Sequence, residues 1–356
     1  MIPTILEVTR LPTPILRRAA EAGKIRLISW ADTNSKAPFA DREWILRNVP
    51  GVNALAVIVP TAVDAEILDA AGPSLKGVST MSVGYDHIDA KAVRERGLRI
   101  GNTPQVLDSA VADLTISLTL SITRRLFESE RVVRAGKWQT TPWNPLAFIG
   151  PSLEGKTIGF FGFGGIAQTT AARLLSFKPG RIVYTTSKPR TVDLASPAFR
   201  VLAEDDYIQL HHKAHGKLPV PMDNVPDRLE LARVSDVVIV LAVLNESTHH
   251  AVDAEFLDAM KPTAYVVNVA RGPHVDTGAL VDALRQEKIA GAALDVLEGE
   301  PNIPADHPLL AADIADRVVV LPHIASATSE ARHAMADICA TNALGMVGLG
   351  EMISEL

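Results

Sequence analysis

Residues 157–174 read Thr157-Ile-Gly-Phe-Phe-Gly162-Phe-Gly164-Gly-Ile-Ala167-Gln-Thr-Thr-Ala-Ala-Arg-Leu174. The first five predict a strand, and the run after Gln168 predicts a helix. Between them stands a G-x-G-x-x-A turn. Gly162 permits the sharp reversal, and Gly164 lets the backbone approach a pyrophosphate. The third position must be small where helix meets strand, and Ala167 satisfies that. The helix entered through Gly165 and Ile166 presents free N–H groups to a phosphate. This strand–turn–helix fixes a dinucleotide-binding βαβ unit as the organising element.

Working outward, short apolar runs recur at residues 4–8, 54–59, 77–81, 181–185, 236–241, 264–269, 292–296 and 318–321. Most are apolar on both faces, as strands covered on both sides by helices must be. Helical patterns fill the gaps; Leu280 and Leu284, four residues apart, share a face. The alternation predicts an α/β chain of right-handed crossovers with parallel sheets. A chain of 356 residues suits two domains. Asn102-Thr103-Pro104 ends a strand and marks a boundary. A long helix is expected over 109–136. Trp138-Gln-Thr-Thr-Pro-Trp143-Asn-Pro then reads as an exposed arm. Residues 188–228 carry five prolines and His211, His212 and His215, and read as a long loop, functional or disordered.

Bulk properties narrow the partners. The net charge of -6, from 35 basic and 41 acidic residues, comes without a basic cluster, which argues against nucleic acid. The one cysteine, Cys339, excludes an intrachain disulfide and fits a reducing compartment. Its apolar surroundings make it a small buried hydrophobe rather than a nucleophile. No apolar run is long enough to span a membrane. The opening Met1-Ile-Pro-Thr lacks signal-peptide character, and Ser354-Glu355-Leu356 departs from the peroxisomal Ser-Lys-Leu, so a cytoplasmic location is expected.

The strand at 181–185 should end beside an adenosine ribose. Where NAD-binding folds usually carry a carboxylate, this chain has Thr185-Thr186-Ser187-Lys188-Pro189-Arg190. Lys188 and Arg190 attract a 2′-phosphate that a carboxylate would repel, so NADP(H) is expected over NAD(H).

Polar residues also follow apolar strands at Arg271, at Asp295 and Glu300, and at His323. Ligands of open α/β sheets bind beyond the carboxyl ends of strands. Reducing a 2-oxo acid needs a cation for the substrate carboxylate, which Arg271 offers as a planar fork. It needs a proton donor for the carbonyl oxygen, and histidine titrates in the right range. A carboxylate bonded to that imidazole would orient it and favour its charged form. No metal is expected: the histidines of 188–228 lack a supporting Cys or carboxylate pattern, and His249-His250 reads as surface.

These segments carry a resemblance. Ser79-Thr-Met-Ser-Val-Gly-Tyr-Asp-His87, Gly101-Asn-Thr-Pro-Gln-Val-Leu107, the Gly162 turn, Asn268-Val-Ala-Arg-Gly272, Ala293-Leu-Asp-Val-Leu-Glu-Gly-Glu-Pro301 and Pro322-His-Ile-Ala-Ser-Ala-Thr328 resemble the D-isomer-specific 2-hydroxyacid dehydrogenases, most of all the glyoxylate/hydroxypyruvate reductases. The spacings of 29 residues from Arg271 to Glu300 and 23 to His323 match that family. The resemblance implies a Rossmann-type cofactor domain, 105–323, inserted into a flavodoxin-like substrate domain formed by 1–104 and 324–356. It implies Arg271, Glu300 and His323 as the catalytic set, and the N–H groups of Val83 and Gly84 as substrate-carboxylate donors. Ala270, Asp295 and His323 would lie beside the cofactor, with Asp295 near the nicotinamide carboxamide. It implies a homodimer, with Trp143 either reaching the partner's site or burying area at the interface. Three departures stand out: Gly165 where the family usually has Arg, and Ala167 and Ala325 where glycine is commoner. Dehydrogenases of phosphoglycerate or formate, and a dinucleotide-sensing corepressor-like binding protein, are the alternatives. The chain's 33 residues after His323 leave no room for the regulatory module of many phosphoglycerate enzymes.

Overall fold

The computed structural model describes residues 2–11, 13–141 and 143–356. Met1, part of the N-terminal reading, and Pro142, in the tryptophan arm, lie outside the described residues. The chain divides into two compact units, Met1–Leu107 with Ser326–Leu356, and Asp108–Ala325. No helix among the described residues is long and apolar enough to cross a membrane.

The first unit holds β1 (Thr4–Glu7), β2 (Arg26–Ser29), β3 (Ala54–Val57), β4 (Gly77–Thr80) and β5 (Arg99–Gly101). All pairs are parallel, in the order β2-β1-β3-β4-β5, which is the flavodoxin-like order. Leu6, Leu55, Val57, Val78 and Ile100 join one apolar core. The helix Ser329–Met346 returns the chain's end to this sheet, packing on β3, β4 and β5. It starts where Thr328 accepts the Ala331 N–H.

The second unit holds β6 (Thr157–Phe161), β7 (Arg181–Thr185), β8 (Met222–Asn224), β9 (Val237–Val240), β10 (Tyr265–Asn268), β11 (Gly291–Leu294) and β12 (Val318–Val320). The order β12-β11-β10-β9-β6-β7-β8 is parallel throughout and reverses between β6 and β9, the switch point of a Rossmann sheet. Both units are therefore doubly wound α/β folds, as the alternation of elements predicts.

Three expectations need correction. β2 and β8 were absent from the expected strands; both are edge strands, and Arg26 and Asp223 on them face solvent, so neither shows a two-sided apolar run. The helix expected over 109–136 is two helices, Asp108–Thr123 and Leu126–Arg134. Arg125 adopts φ +52° between them; the first piece is half buried and the second buries none of its residues. Residues 188–228 are not a loop. They form the helices Arg200–Glu204 and Asp206–His215 and the strand β8. Pro197 begins a helical turn, Asp205 caps the second helix by accepting the Ile208 N–H, and Gly216 ends it with φ +66°. Phe199, Leu202 and Ile208 are buried beneath.

Candidate active site

The ends of β10, β11 and β12 deliver three loops to one edge of the second unit's sheet. After β10, the buried Asn268 folds the chain back on itself. Its Nδ2 donates to the Arg271 carbonyl at 2.8 Å, and its Oδ1 accepts the Ala270 N–H at 3.0 Å. Arg271 is half-buried, and its Nη1 donates to the Ala270 carbonyl. Gly272 lies against the backbone of the next loop: a Cβ there would stand 2.1 Å from the Leu297 carbonyl carbon. Only glycine lets the Arg271 loop approach the 297–300 turn this closely.

That turn carries Glu300, followed by a cis bond to Pro301. Glu300 Oε2 accepts the Leu297 N–H at 3.1 Å, which holds the carboxylate in place. Its Oε1 lies 2.6 Å from His323 Nδ1, and both side chains are roughly a quarter to a third exposed. With Nδ1 donating to Glu300, Nε2 is the ring nitrogen left to exchange a proton with a ligand. His323 has φ +54°, a conformation uncommon outside glycine. Asp295 imposes it. Its carbonyl accepts the His323 N–H at 2.7 Å, and its two carboxylate oxygens accept the N–H groups of Ile324 and Ala325 at 2.8 Å each. Burial raises the Asp295 carboxyl above its ordinary value, opposed by those two backbone bonds and by His323. Asp295 is wholly buried. Both oxygens of the Asp295 carboxylate thus seat the loop that carries His323.

The dinucleotide turn lies at the switch point. Gly162 has φ +91°, and a Cβ there would stand 2.6 Å from the Ala242 backbone, so the ends of β6 and β9 touch. A Cβ on Gly164 would meet nothing within 4 Å, so open space lies over the start of the helix Gly165–Leu174. Gly164 and Ile166 with Gly165 offer that space backbone N–H groups and no side-chain cap, which fits a pyrophosphate. Past β7, the Thr186 hydroxyl donates to the Lys188 carbonyl, and the Tyr184 hydroxyl donates to that of Arg190. Ser187, Lys188 and Arg190 are exposed, and no carboxylate among the described residues pairs with either cation. Asp223, on the neighbouring strand, is engaged by Arg181 at 2.9 Å.

In the first unit, the loop after β4 is tied down through its carbonyls. Asn102 Nδ2 donates to Val83 at 3.0 Å and Ser82 Oγ to Gly84 at 2.6 Å. The N–H groups of Val83 and Gly84 have no protein acceptor among the described residues. Trp143 is 87% exposed in the arm of the second unit.

A family model described as the D-isomer specific 2-hydroxyacid dehydrogenase NAD binding domain matches residues 116–218 and 201–325. The chain belongs to the D-isomer-specific 2-hydroxyacid dehydrogenases. It is an NAD(P)-dependent oxidoreductase of that family. Among relatives of this dehydrogenase, the glyoxylate reductase of Thermofilum pendens is 42% identical, covering 87% of this chain and 83% of the relative. The human glyoxylate reductase/hydroxypyruvate reductase is 36% identical over 96% of each chain. A crystal structure of the NADPH-dependent glyoxylate/hydroxypyruvate reductase of Sinorhizobium meliloti in complex with NADP and malonate superimposes with a TM-score of 0.79 at 32% identity, covering 100% of this chain and 97% of that one.

The dehydrogenase's departures from its family have local causes. A Cβ on Gly165 would stand 2.7 Å from a carboxylate oxygen of Asp108, so an arginine here requires Asp108 to move. Ala167 and Ala325 are buried. Sequence reasoning missed Asn268, Asp108 and the seating role of Asp295. It also placed His249-His250 at the surface, whereas His250 is half-buried and bonds Glu298. Asn268 was within reach, because a polar residue ending an apolar strand has to find partners.

Proposed function

We propose that this dehydrogenase reduces small 2-oxo acids, glyoxylate and hydroxypyruvate, to 2-hydroxy acids with NADPH. The observation that carries this is the His323 Nδ1–Glu300 Oε1 contact of 2.6 Å on a loop seated by a buried aspartate. Bound NADPH supplies the hydride to the carbonyl carbon. His323 Nε2 gives the carbonyl oxygen its proton, with Glu300 orienting the ring and favouring the imidazolium. Arg271 takes the substrate carboxylate as a planar fork, and Val83 and Gly84 offer it backbone N–H groups. Gly162, Gly164, Gly165 and Ile166 hold the pyrophosphate, and Ala270 lines the nicotinamide side. Thr186, Ser187, Lys188 and Arg190 take the 2′-phosphate. The names of the relatives support the substrate class, and the unpaired cations at 188 and 190 support the cofactor choice.

Loss of NADPH absorbance, followed with a panel of 2-oxo acids and then with NADH, tests both parts. Turnover of glyoxylate or hydroxypyruvate with a higher kcat/KM for NADPH is expected. Tight cofactor binding without turnover of any 2-oxo acid would favour a dinucleotide sensor, and an NADH preference would remove the assignment of Lys188 and Arg190. We also propose a cytoplasmic homodimer. Leu126, Trp138, Trp143, Leu146 and Ile149 are exposed along one stretch of the second unit, an apolar set that a second copy would cover. A monomer in sedimentation equilibrium at micromolar concentration would refute it.

A further inference from the structure

A second imidazole–carboxylate cluster lies apart from the His323–Glu300 pair. After β9 the chain turns through 243–250 before Val252 bridges to Val275. Neighbouring side chains in an extended segment point to opposite faces. Here His250 has φ +50°, and that left-handed turn brings the rings of His249 and His250 together, with centroids 4.0 Å apart. The conformation is pinned by the His250 N–H donating to the Pro273 carbonyl at 2.8 Å. Glu298 arrives from the turn after β11, and its Oε1 accepts from His250 Nε2 at 2.9 Å. One ligand atom from each of His249, His250 and Glu298 lies within 4.8 Å of the other two. The Thr277 hydroxyl is 3.4 Å from Glu298 Oε2, and Asp276 Oδ2 is 3.9 Å from His250 Nδ1.

We propose that His249, His250 and Glu298 bind a divalent transition-metal ion of the zinc class, with water completing the shell. Two imidazoles and one carboxylate form a borderline-soft donor set suited to zinc. Bond lengths of about 2.0–2.2 Å put tetrahedral ligand atoms about 3.4 Å apart. The His250–Glu298 contact therefore opens by about 0.5 Å, and no pair has to close by more than about 1.4 Å. Metal-bound imidazoles commonly direct their other N–H at a carboxylate, and Asp276 stands on that side of His250. Glu298 and Asp276 together give the cluster two negative charges for a doubly charged cation. His249 is exposed and His250 and Glu298 are each about a third exposed, so an ion has a path in from solvent. The other histidine group differs. His211 and His215 share a helical face with rings 4.6 Å apart, but no third ligand joins them among the described residues. The ion would join the turn after β9 to the turn that carries Glu300, as a clip and not as a reactant.

Isothermal titration of the chelator-stripped full chain with Zn²⁺, in a buffer that does not bind metal, tests this. One equivalent is expected to bind at micromolar Kd or tighter. His249→Ala, His250→Ala and Glu298→Gln should each weaken it at least tenfold, while the double variant His211→Ala/His215→Ala retains wild-type affinity. Zn²⁺ should also raise the Tm of the wild type and not that of His249→Ala, because a ligand that binds only the folded state stabilises it. His249 is exposed, so that variant carries the test if His250→Ala does not fold. No saturable binding, wild-type affinity in His249→Ala, or binding lost with His211 and His215 would each overturn the proposal.

Discussion

One turn of this molecule, residues 297–300, makes two histidine–glutamate pairs, and they differ in instructive ways. Glu300 bonds His323 at 2.6 Å through Nδ1; Glu298 bonds His250 at 2.9 Å through Nε2. Both histidines are in the left-handed region, at φ +54° and +50°. The difference is in what holds each backbone. His323 rests on Asp295, which is wholly buried and accepts three successive N–H groups through its carbonyl and carboxylate. The N–H groups of His250, Ala251 and Val252 go instead to three separate loop carbonyls, those of Pro273, Thr248 and His274, and His250 itself is only half-buried. A proton donor must be held within a fraction of an ångström of its target, so it needs the rigid support. An ion-binding or purely local pair tolerates the softer one.

Removing the imidazoles gives the largest contrast. His323→Ala should lower kcat for 2-oxo acid reduction by about 10²–10⁴-fold, the usual worth of a general acid, with little change in NADPH affinity. His250→Ala should change kcat by no more than about twofold, because His250 bonds Glu298 and touches neither Glu300 nor His323 through a hydrogen bond. Steady-state kinetics with fluorescence titration of NADPH measures both. Equal losses in the two variants would erase the distinction.

The two pairs also differ in how far the sequence reveals them. Arg271, Glu300 and His323 each follow a strand that is apolar on both faces, so position alone places them at a sheet's carboxyl edge. The β6 turn was legible for the same reason. His250 and Glu298 also follow such strands, but they meet only because a non-glycine residue takes a positive φ, and nothing in His249-His250 announces that. Asp295 was legible as important, but its seating of the His323 loop was not, because its partners are backbone N–H groups that no sequence pattern displays. Edge strands β2 and β8 were missed because half-covered strands lose the apolar signature. Residues 188–228 misled because Pro197 starts a helical turn and the other prolines flank the helices and β8, which from sequence looks like a loop.

The next effects probe the seat and then the carboxylate. Asn in place of Asp295 sets an NH₂ group against a backbone N–H, which should cost about 1–3 kcal/mol in urea unfolding. The same change should lower kcat, because His323 loses its fixed backbone. Lost stability with full kcat would mean that the loop holds itself. The pH dependence has a defined sign. Burial raises the Asp295 carboxyl in the folded chain, so its contribution to stability is complete below its ordinary value of 3.8 and is lost as pH rises through the folded value. Asp295→Asn should lack that component, and its stability should fall less on going from acid to neutral pH. Glu300→Gln is smaller: it removes a negative charge 2.6 Å from the imidazole. kcat for reduction should fall about tenfold, because the amide no longer holds the ring as the carboxylate does. An unchanged kcat would show that Glu300 does not partner His323 in the reaction.

Glu298→Gln is the smallest and sharpest comparison, because it changes the same atoms two residues away. Its pair with His250 has side chains 35% and 37% exposed, and such pairs are worth about 0–1 kcal/mol. The amide oxygen can still accept from His250 and the amide NH₂ can donate to the Thr277 hydroxyl oxygen, so metal-free stability should change by less than about 1 kcal/mol. kcat for reduction should stay within about twofold, since the lost carboxylate belongs to the His250 pair. Parallel kinetics of Glu298→Gln and Glu300→Gln measured in one buffer decide the matter. If both fall alike, the turn acts on His323 as a whole, and the division between a catalytic and a peripheral pair fails.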